Sequence, residues 1–144
     1  GLEADLRWFA TDALEIYASL GLLQSKLGAS GRDLAHAPRY SMAAGTIYRN
    51  ANGFFARLDA TARDEFYFDV SHDQKSQAYE LLHARVGYEG DTWVAQLWVR
   101  NLTDQDYAVR GFYFGNEPPD FPATLYTRLG DPRQLGITLE RRFN

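Results

Sequence analysis

Apolar residues occupy every second position through seven stretches of the chain, and no other feature restricts its fold as strongly. Leu2, Ala4, Leu6 and Trp8 alternate with Glu3, Asp5 and Arg7, and Leu14, Ile16, Ala18, Leu20 and Leu22 alternate with Glu15, Tyr17, Ser19 and Gly21. The pattern continues through Phe54 to Arg63, Leu82 to Tyr88, Trp93 to Arg100 and Gln134 to Phe143, and less cleanly through Tyr40 to Arg49. Successive side chains of a strand point to opposite faces, so this period predicts half-buried strands. A helix over Leu6 to Leu23 competes, since Ala and Leu favour helices, but Gly21 and the strict alternation weigh against it. The expected fold class is all-β, an antiparallel up-and-down meander of about seven strands.

The connections sort into short ones, at Ala10 to Ala13, Asn50 to Gly53 and Glu89 to Thr92, and long ones, at Lys26 to Arg39, Asp64 to Gln77 and Leu102 to Pro132. They alternate strictly. In a meander this puts every short turn at one rim and every long loop at the other, the asymmetry of an outer-membrane barrel. Trp8, Tyr48, Phe54, Tyr88 and Trp93 each flank a short turn on the apolar face, and Phe143 falls at the same rim. Such a ring suits a lipid interface and gives a reason for an aromatic content of 15%. No apolar run approaches the ~20 residues of a spanning helix, which leaves a barrel open. Two alternatives stand beside it: a complete small outer-membrane barrel with one more strand, and a soluble β-sandwich whose apolar faces meet across one core and bind a ligand. A closed meander needs an even number of strands, so seven predicts partner strands elsewhere in a longer protein.

The 144 residues suffice for one domain. A net charge of -4 and a pI near 5.3, without clustered Lys and Arg, argue against a nucleic-acid partner. The absence of cysteine removes disulfides, thiolate metal sites and cysteine nucleophiles. Gly1 opens directly in patterned sequence with no signal peptide before it, as expected of a fragment or a processed product.

Several stretches, in this order and spacing, resemble the C-terminal part of TonB-dependent outer-membrane receptors, the active importers of ferric siderophores, cobalamin and similar scarce nutrients. They are "GLEADLRW", "LEIYASLGLLQS", "HAPRYSMAAGTIYR", "AYELLHARVGYEG", "WVAQLWVRNLTDQDYA" and "GDPRQLGITLERRF". The closing alternation ending in Phe143 is similar to the signal that barrel assembly machinery recognises, although Asn144 follows it here. The resemblance implies a parent barrel of twenty-two strands, of which residues 1–144 are about the last seven, with the plug domain and the TonB-contacting box encoded upstream. It implies outer-membrane lipid, the plug, TonB and a ferric siderophore or similar nutrient complex as partners. It implies no cofactor.

The water-facing row Arg57, Asp59, Arg63, His83, Arg85 and Arg100 would then point into the lumen, where it either holds the plug through salt bridges, guides an anionic ligand, or simply lines a solvated interior. The longest connection carries Arg110, Phe112, Tyr113, Phe114 and Phe121; an arginine among aromatics suits an anionic ferric siderophore, and Arg110, Phe112, Tyr113 and Phe114 are the candidate ligand contacts. Pro118 and Pro119 offer the plainer reading of a stiffened loop whose aromatics pack on one another. His36, His72 and His83 lack ligand spacing, which argues against a metal site. The adjacent carboxylates Asp64 and Glu65 have no partnered base or nucleophile, and the consecutive Ser71-His72-Asp73 cannot adopt triad geometry, so no enzymatic chemistry is expected. Asn101-Leu102-Thr103 matches a glycosylation acceptor, and Asp104 and Asp106 could suit a cation, but at a strand end in a bacterial barrel the stretch is expected to be a hydrogen-bonded strand-to-loop turn.

Overall fold

A computed structural model of the chain describes residues 1–143. Strands β1 (Leu2–Phe9), β2 (Leu14–Leu22), β3 (Tyr40–Arg49), β4 (Phe54–Arg63), β5 (Tyr79–Glu89), β6 (Trp93–Arg100) and β9 (Gln134–Arg141) form one antiparallel sheet in the order β1-β2-β3-β4-β5-β6-β9. These are the seven expected strands, with β5 starting three residues earlier than the alternation indicated. Two more strands were not anticipated: β7 (Ala108–Gly115) and β8 (Ala123–Leu129) pair as a hairpin inside the connection expected to be a loop. Consecutive aromatics at Phe112 to Phe114 hide the period of β7, so it reads as a cluster rather than as a strand.

The register keeps one face apolar across the whole sheet. Ile16 pairs with Trp8 and Thr46, Ala56 with Tyr48 and Val86, and Leu97 with Val86 and Ile137. Among the described residues no other strand packs on this face, because every contact between strands is between hydrogen-bonded neighbours. Val86 is 52% exposed, Leu97 55% and Leu139 76%, while Leu82 is half-buried. A sandwich would bury such residues against a second sheet, so that alternative fails. Among the described residues the buried apolar side chains are Ile47, Phe66 and Phe68, and the last two lie in a connection rather than in the sheet.

On the polar face, three aromatics lie across glycines of the adjacent strand. Tyr17 pairs with Gly45, Phe55 with Gly87 and Trp98 with Gly136. A Cβ at Gly87 would stand 2.6 Å from Phe55 Cζ, and one at Gly136 would enter the Trp98 ring. Each ring thus takes the space a side chain would fill, which shields the glycine backbone and fixes the register.

Short turns and long connections alternate between the two ends of the sheet, as expected. Arg142 N–H donates to Thr92 O at 2.8 Å, which ties the last strand to the short-turn rim. Phe54 meets Tyr88 edge-on at 5.2 Å, and Tyr88 stacks on Trp93 at 5.2 Å, so the expected aromatics join into a belt across β4, β5 and β6. Strands of eight to eleven residues are about 26–36 Å long, and a tilt of roughly 35–45° gives them the reach of a bilayer's apolar band.

In lipid vesicles, Leu97→Arg is expected to destabilise the protein by about 2–4 kcal/mol, whereas Gln96→Arg on the opposite face costs little. Denaturant unfolding followed by tryptophan fluorescence reads both, and equal effects would contradict a lipid-facing Leu97.

Candidate functional site

The polar face holds a groove of about 540 Å³ lined by Arg57, Asp59, His83, Arg85, Trp98 and Arg100 among others. Residues two apart on a strand share a face, so β4 brings Arg57 beside Asp59, and β2 adds Tyr17. Arg57 Nε donates to both Asp59 oxygens, at 2.9 and 2.8 Å, and its Nη2 donates to Asp59 Oδ1 at 2.7 Å and to the Tyr17 hydroxyl at 2.8 Å. The Tyr17 hydroxyl in turn donates to Asp59 Oδ1. Arg57 also stands directly opposite Arg85, and Asp59 opposite His83. Asp59 therefore offsets the charge of Arg57 where it faces Arg85. Arg100 lies 5.3 Å from the Trp98 ring, whose Nε1 donates to Thr138 Oγ1 at 3.2 Å. Arg63, at the end of β4 opposite Ser41 and Tyr79, is on the same face but outside the groove.

Above the long-loop rim the connections pack on one another. Arg32 reaches from the β2–β3 connection into the β4–β5 connection, pairing with Asp73 at 2.7 Å and donating to the carbonyls of His72, at 2.6 Å, and Asp69. Tyr67 is held between Arg32, 4.2 Å from its ring centre, and Lys75, 4.5 Å away. Buried beneath are Phe66, against His36, and Phe68, whose ring lies over Gly111 of the β7–β8 hairpin. Tyr113 meets His72 at 5.7 Å on the same side of the hairpin. The hairpin is thus docked on the β4–β5 connection by its Gly111 and Tyr113 face.

Its other face is open. Arg110, Phe112 and Phe114 point there, opposite Arg128, Tyr126 and Thr124 respectively. Phe114 meets Tyr126 at 5.3 Å, and the Tyr126 hydroxyl donates to the Glu117 carboxylate at 3.4 Å; desolvation, and after it the Glu117 charge, raises the Tyr126 pKa above its ordinary value. Of the ligand contacts expected from sequence, Arg110, Phe112 and Phe114 therefore share one surface, while Tyr113 lies on the opposite face beside His72 and stays exposed. Phe121 sits at the hairpin turn against Gly115. Tyr126 and Arg128 went unnoticed because only the hairpin register brings them beside residues twelve or more positions earlier; the alternation of Thr124, Tyr126 and Arg128 was the available signal.

The three histidines lie apart, His36 on Phe66, His72 on Tyr113, and His83 accepting from Asn101 N–H at 3.1 Å. Asn101 is buried, with a left-handed φ of 48°. Its amide donates to Gln105 O at 3.0 Å and Asp131 O at 3.1 Å, and its carbonyl oxygen accepts from Gln105 N–H at 2.9 Å. Both amide hydrogens are committed, so this asparagine clamps the two ends of the longest connection and offers nothing to a glycan. Asp104 accepts from Arg133 N–H at 2.8 Å across the same clamp. The expected strand-to-loop turn is present, closed by Asn101 and by the Asp104 N–H on Asn101 O at 3.0 Å, but the expected carboxylates do not bond it: that of Asp104 reaches Arg133, and that of Asp106 makes no hydrogen bond among the described residues.

No family model matches the chain. Among solved structures, the ferric yersiniabactin uptake receptor FyuA from Yersinia pestis superposes with a TM-score of 0.82 at 18% identity, over 99% of this chain and 23% of the receptor. The fold is that of the β-barrel of TonB-dependent receptors. The ferric enterobactin receptor PfeA in complex with BCV-L6 matches 95% of the chain and 21% of its own length, at 16% identity and a TM-score of 0.68. A mutant of the ferric enterobactin receptor PfeA from Pseudomonas aeruginosa matches 72% of the chain and 16% of its own length, at 18% identity and a TM-score of 0.59. The chain thus spans about a quarter or less of the length of the receptors it matches, and the likeness is one of fold.

Two outcomes are expected of the loops. Asn101→Ala removes three side-chain hydrogen bonds from a buried position and should cost the base of the connection about 2–4 kcal/mol of local stability, read as faster hydrogen exchange at Gln105 with the β1–β4 amides unchanged. Asp69 accepts from Ser71, which holds its carboxyl below the ordinary aspartate range. That contribution is complete above the ordinary pKa and is lost as pH falls through the lower folded value. Protease nicking of the β4–β5 connection should therefore rise on acidification below about pH 4 in the wild type, and Asp69→Asn should flatten that rise.

Proposed function

We propose that the chain is the C-terminal wall segment of a twenty-two-stranded TonB-dependent receptor in the bacterial outer membrane, which imports a ferric siderophore. The observation that carries this reading is the inverted burial of the sheet: an uncovered apolar face with an aromatic belt outside, and hydrogen-bonded charges inside. The shared fold with receptors for ferric yersiniabactin and ferric enterobactin supports it. The single partner of β1 and of β9 argues for further strands on either side and against a self-contained small barrel.

In this reading Arg57, Asp59, Arg63, Arg85 and Arg100 face the plug domain. Arg57 is already satisfied by Asp59 and Tyr17, so Arg63, Arg85 and Arg100 are the residues left to meet plug carboxylates or a passing anion. The packed connections are the extracellular surface, and Arg110, Phe112 and Phe114 present the ligand contacts, with Tyr113 fixing their support. The work of such a protein is transport, with energy delivered through the plug and TonB.

The test is deletion of the full-length gene followed by growth on single defined iron chelates, with binding measured to the intact receptor. Loss of growth on one chelate, restored by the wild-type gene, is expected. Unchanged growth and no binding across ferric chelates would remove the siderophore reading.

A further inference from the structure

The β7–β8 hairpin places Arg110 directly opposite Arg128 on its open face. Like charges in direct cross-strand pairs repel, and neither arginine has an ion-pair partner among the described residues. The sheet shows how the chain relieves the same situation elsewhere. Where Arg57 faces Arg85, Asp59 stands two residues along and takes Arg57 in a bidentate pair. On the hairpin the position two residues along β7 is Phe112, and the one two residues back along β8 is Tyr126. The Glu117 carboxylate lies near the Tyr126 hydroxyl, towards the turn. The pair is therefore left without a counter-charge and is instead bordered by flat rings, with Phe112 49% exposed and Phe114 48% exposed.

We infer that Arg110 and Arg128 together form an anion clamp, and that with Phe112, Tyr126 and Phe114 it selects ligands carrying several negative charges borne on aromatic groups. Two guanidinium forks on adjacent strands can each give parallel hydrogen bonds to one multiply charged ligand, and an isolated arginine gives half of that. The adjoining rings add stacking that a bare oxyanion cannot use. This rests on the receptor reading above and deepens it: Arg128, on the second strand, decides ligand class.

The experiment titrates the full-length receptor in detergent micelles with three probes: ferric tris-catecholate, which is anionic and aromatic; ferric tris-acetohydroxamate, which is neutral and not aromatic; and pyrophosphate, which is anionic only. Expected is preferential binding of the catecholate complex, weakened at least about tenfold by Arg128→Gln and by Arg110→Gln, and weakened further by salt. Arg141→Gln, an exposed arginine at the opposite rim, should leave it unchanged. Unchanged hydrogen exchange at Gly111 and Thr127 in the variants would show the hairpin intact. If the wild type binds iron chelates and Arg128→Gln binds them equally, the clamp is overturned and the receptor reading stands. If pyrophosphate binds as tightly with the same dependence on Arg128, or if Arg141→Gln has an equal effect, selectivity for aromatic anions is overturned. If no chelate binds the wild type and gene deletion leaves growth on iron unchanged, both fall together.

Discussion

An apolar sheet face that no second layer covers among the described residues sets the terms for every other part of this structure. A water-soluble fold of this size would bury that face against a second layer. Here it is spread across seven strands, with the two outermost strands each paired on one side among the described residues, and the ladders satisfy the backbone between them. Tightness of packing then moves to two unusual places. One is the polar face, where rings lie over glycines and charges meet in a hydrogen-bonded group; the other is the set of connections, which contain Phe66 and Phe68.

The polar face is both charged and ordered. Tyr17, Phe55 and Trp98 each lie flat across the next strand instead of projecting inward, which keeps open the space that the groove occupies. Tyr17 does a second job by reaching over Gly45 to Asp59 and Arg57. A side chain at position 45 would block that reach. The glycine, the tyrosine and the ion pair are thus one arrangement spanning β2, β3 and β4.

Much of this was legible in sequence, and the reason is periodicity. Alternation of Leu14, Ile16, Ala18 and Leu20 against Glu15, Tyr17 and Ser19 states a strand and its two faces at once, and the alternation of short with long connections states the meander. What the sequence concealed was placed by pairing instead of by period. The Arg57–Asp59 pair lies two residues apart and was visible as a row of charges, but its third member, Tyr17, is forty residues away. Likewise Phe112, Tyr113 and Phe114 read as one aromatic cluster, yet a strand sends the middle residue to the opposite side, so Tyr113 leaves the candidate surface while Tyr126 and Arg128 join it. The hairpin itself was hidden because three successive aromatics have no period.

The two faces of that hairpin connect the loops to the sheet. Gly111 and Tyr113 dock on Phe68 and His72, and the connection carrying those residues is fastened to its neighbour by Arg32. Arg32 binds main-chain carbonyls of Asp69 and His72 as well as the Asp73 carboxylate, so the fastening depends on backbone shape and not only on one exposed ion pair. At its base the hairpin's connection is closed by Asn101, whose backbone N–H donates to His83, a residue lining the groove of the polar face. A ligand held on the open face of the hairpin would therefore rest on a support that is continuous, through packed rings and a buried asparagine, with the wall of the groove below it. Rigid support of this kind favours recognition by a preformed surface, because little ordering is left to oppose binding.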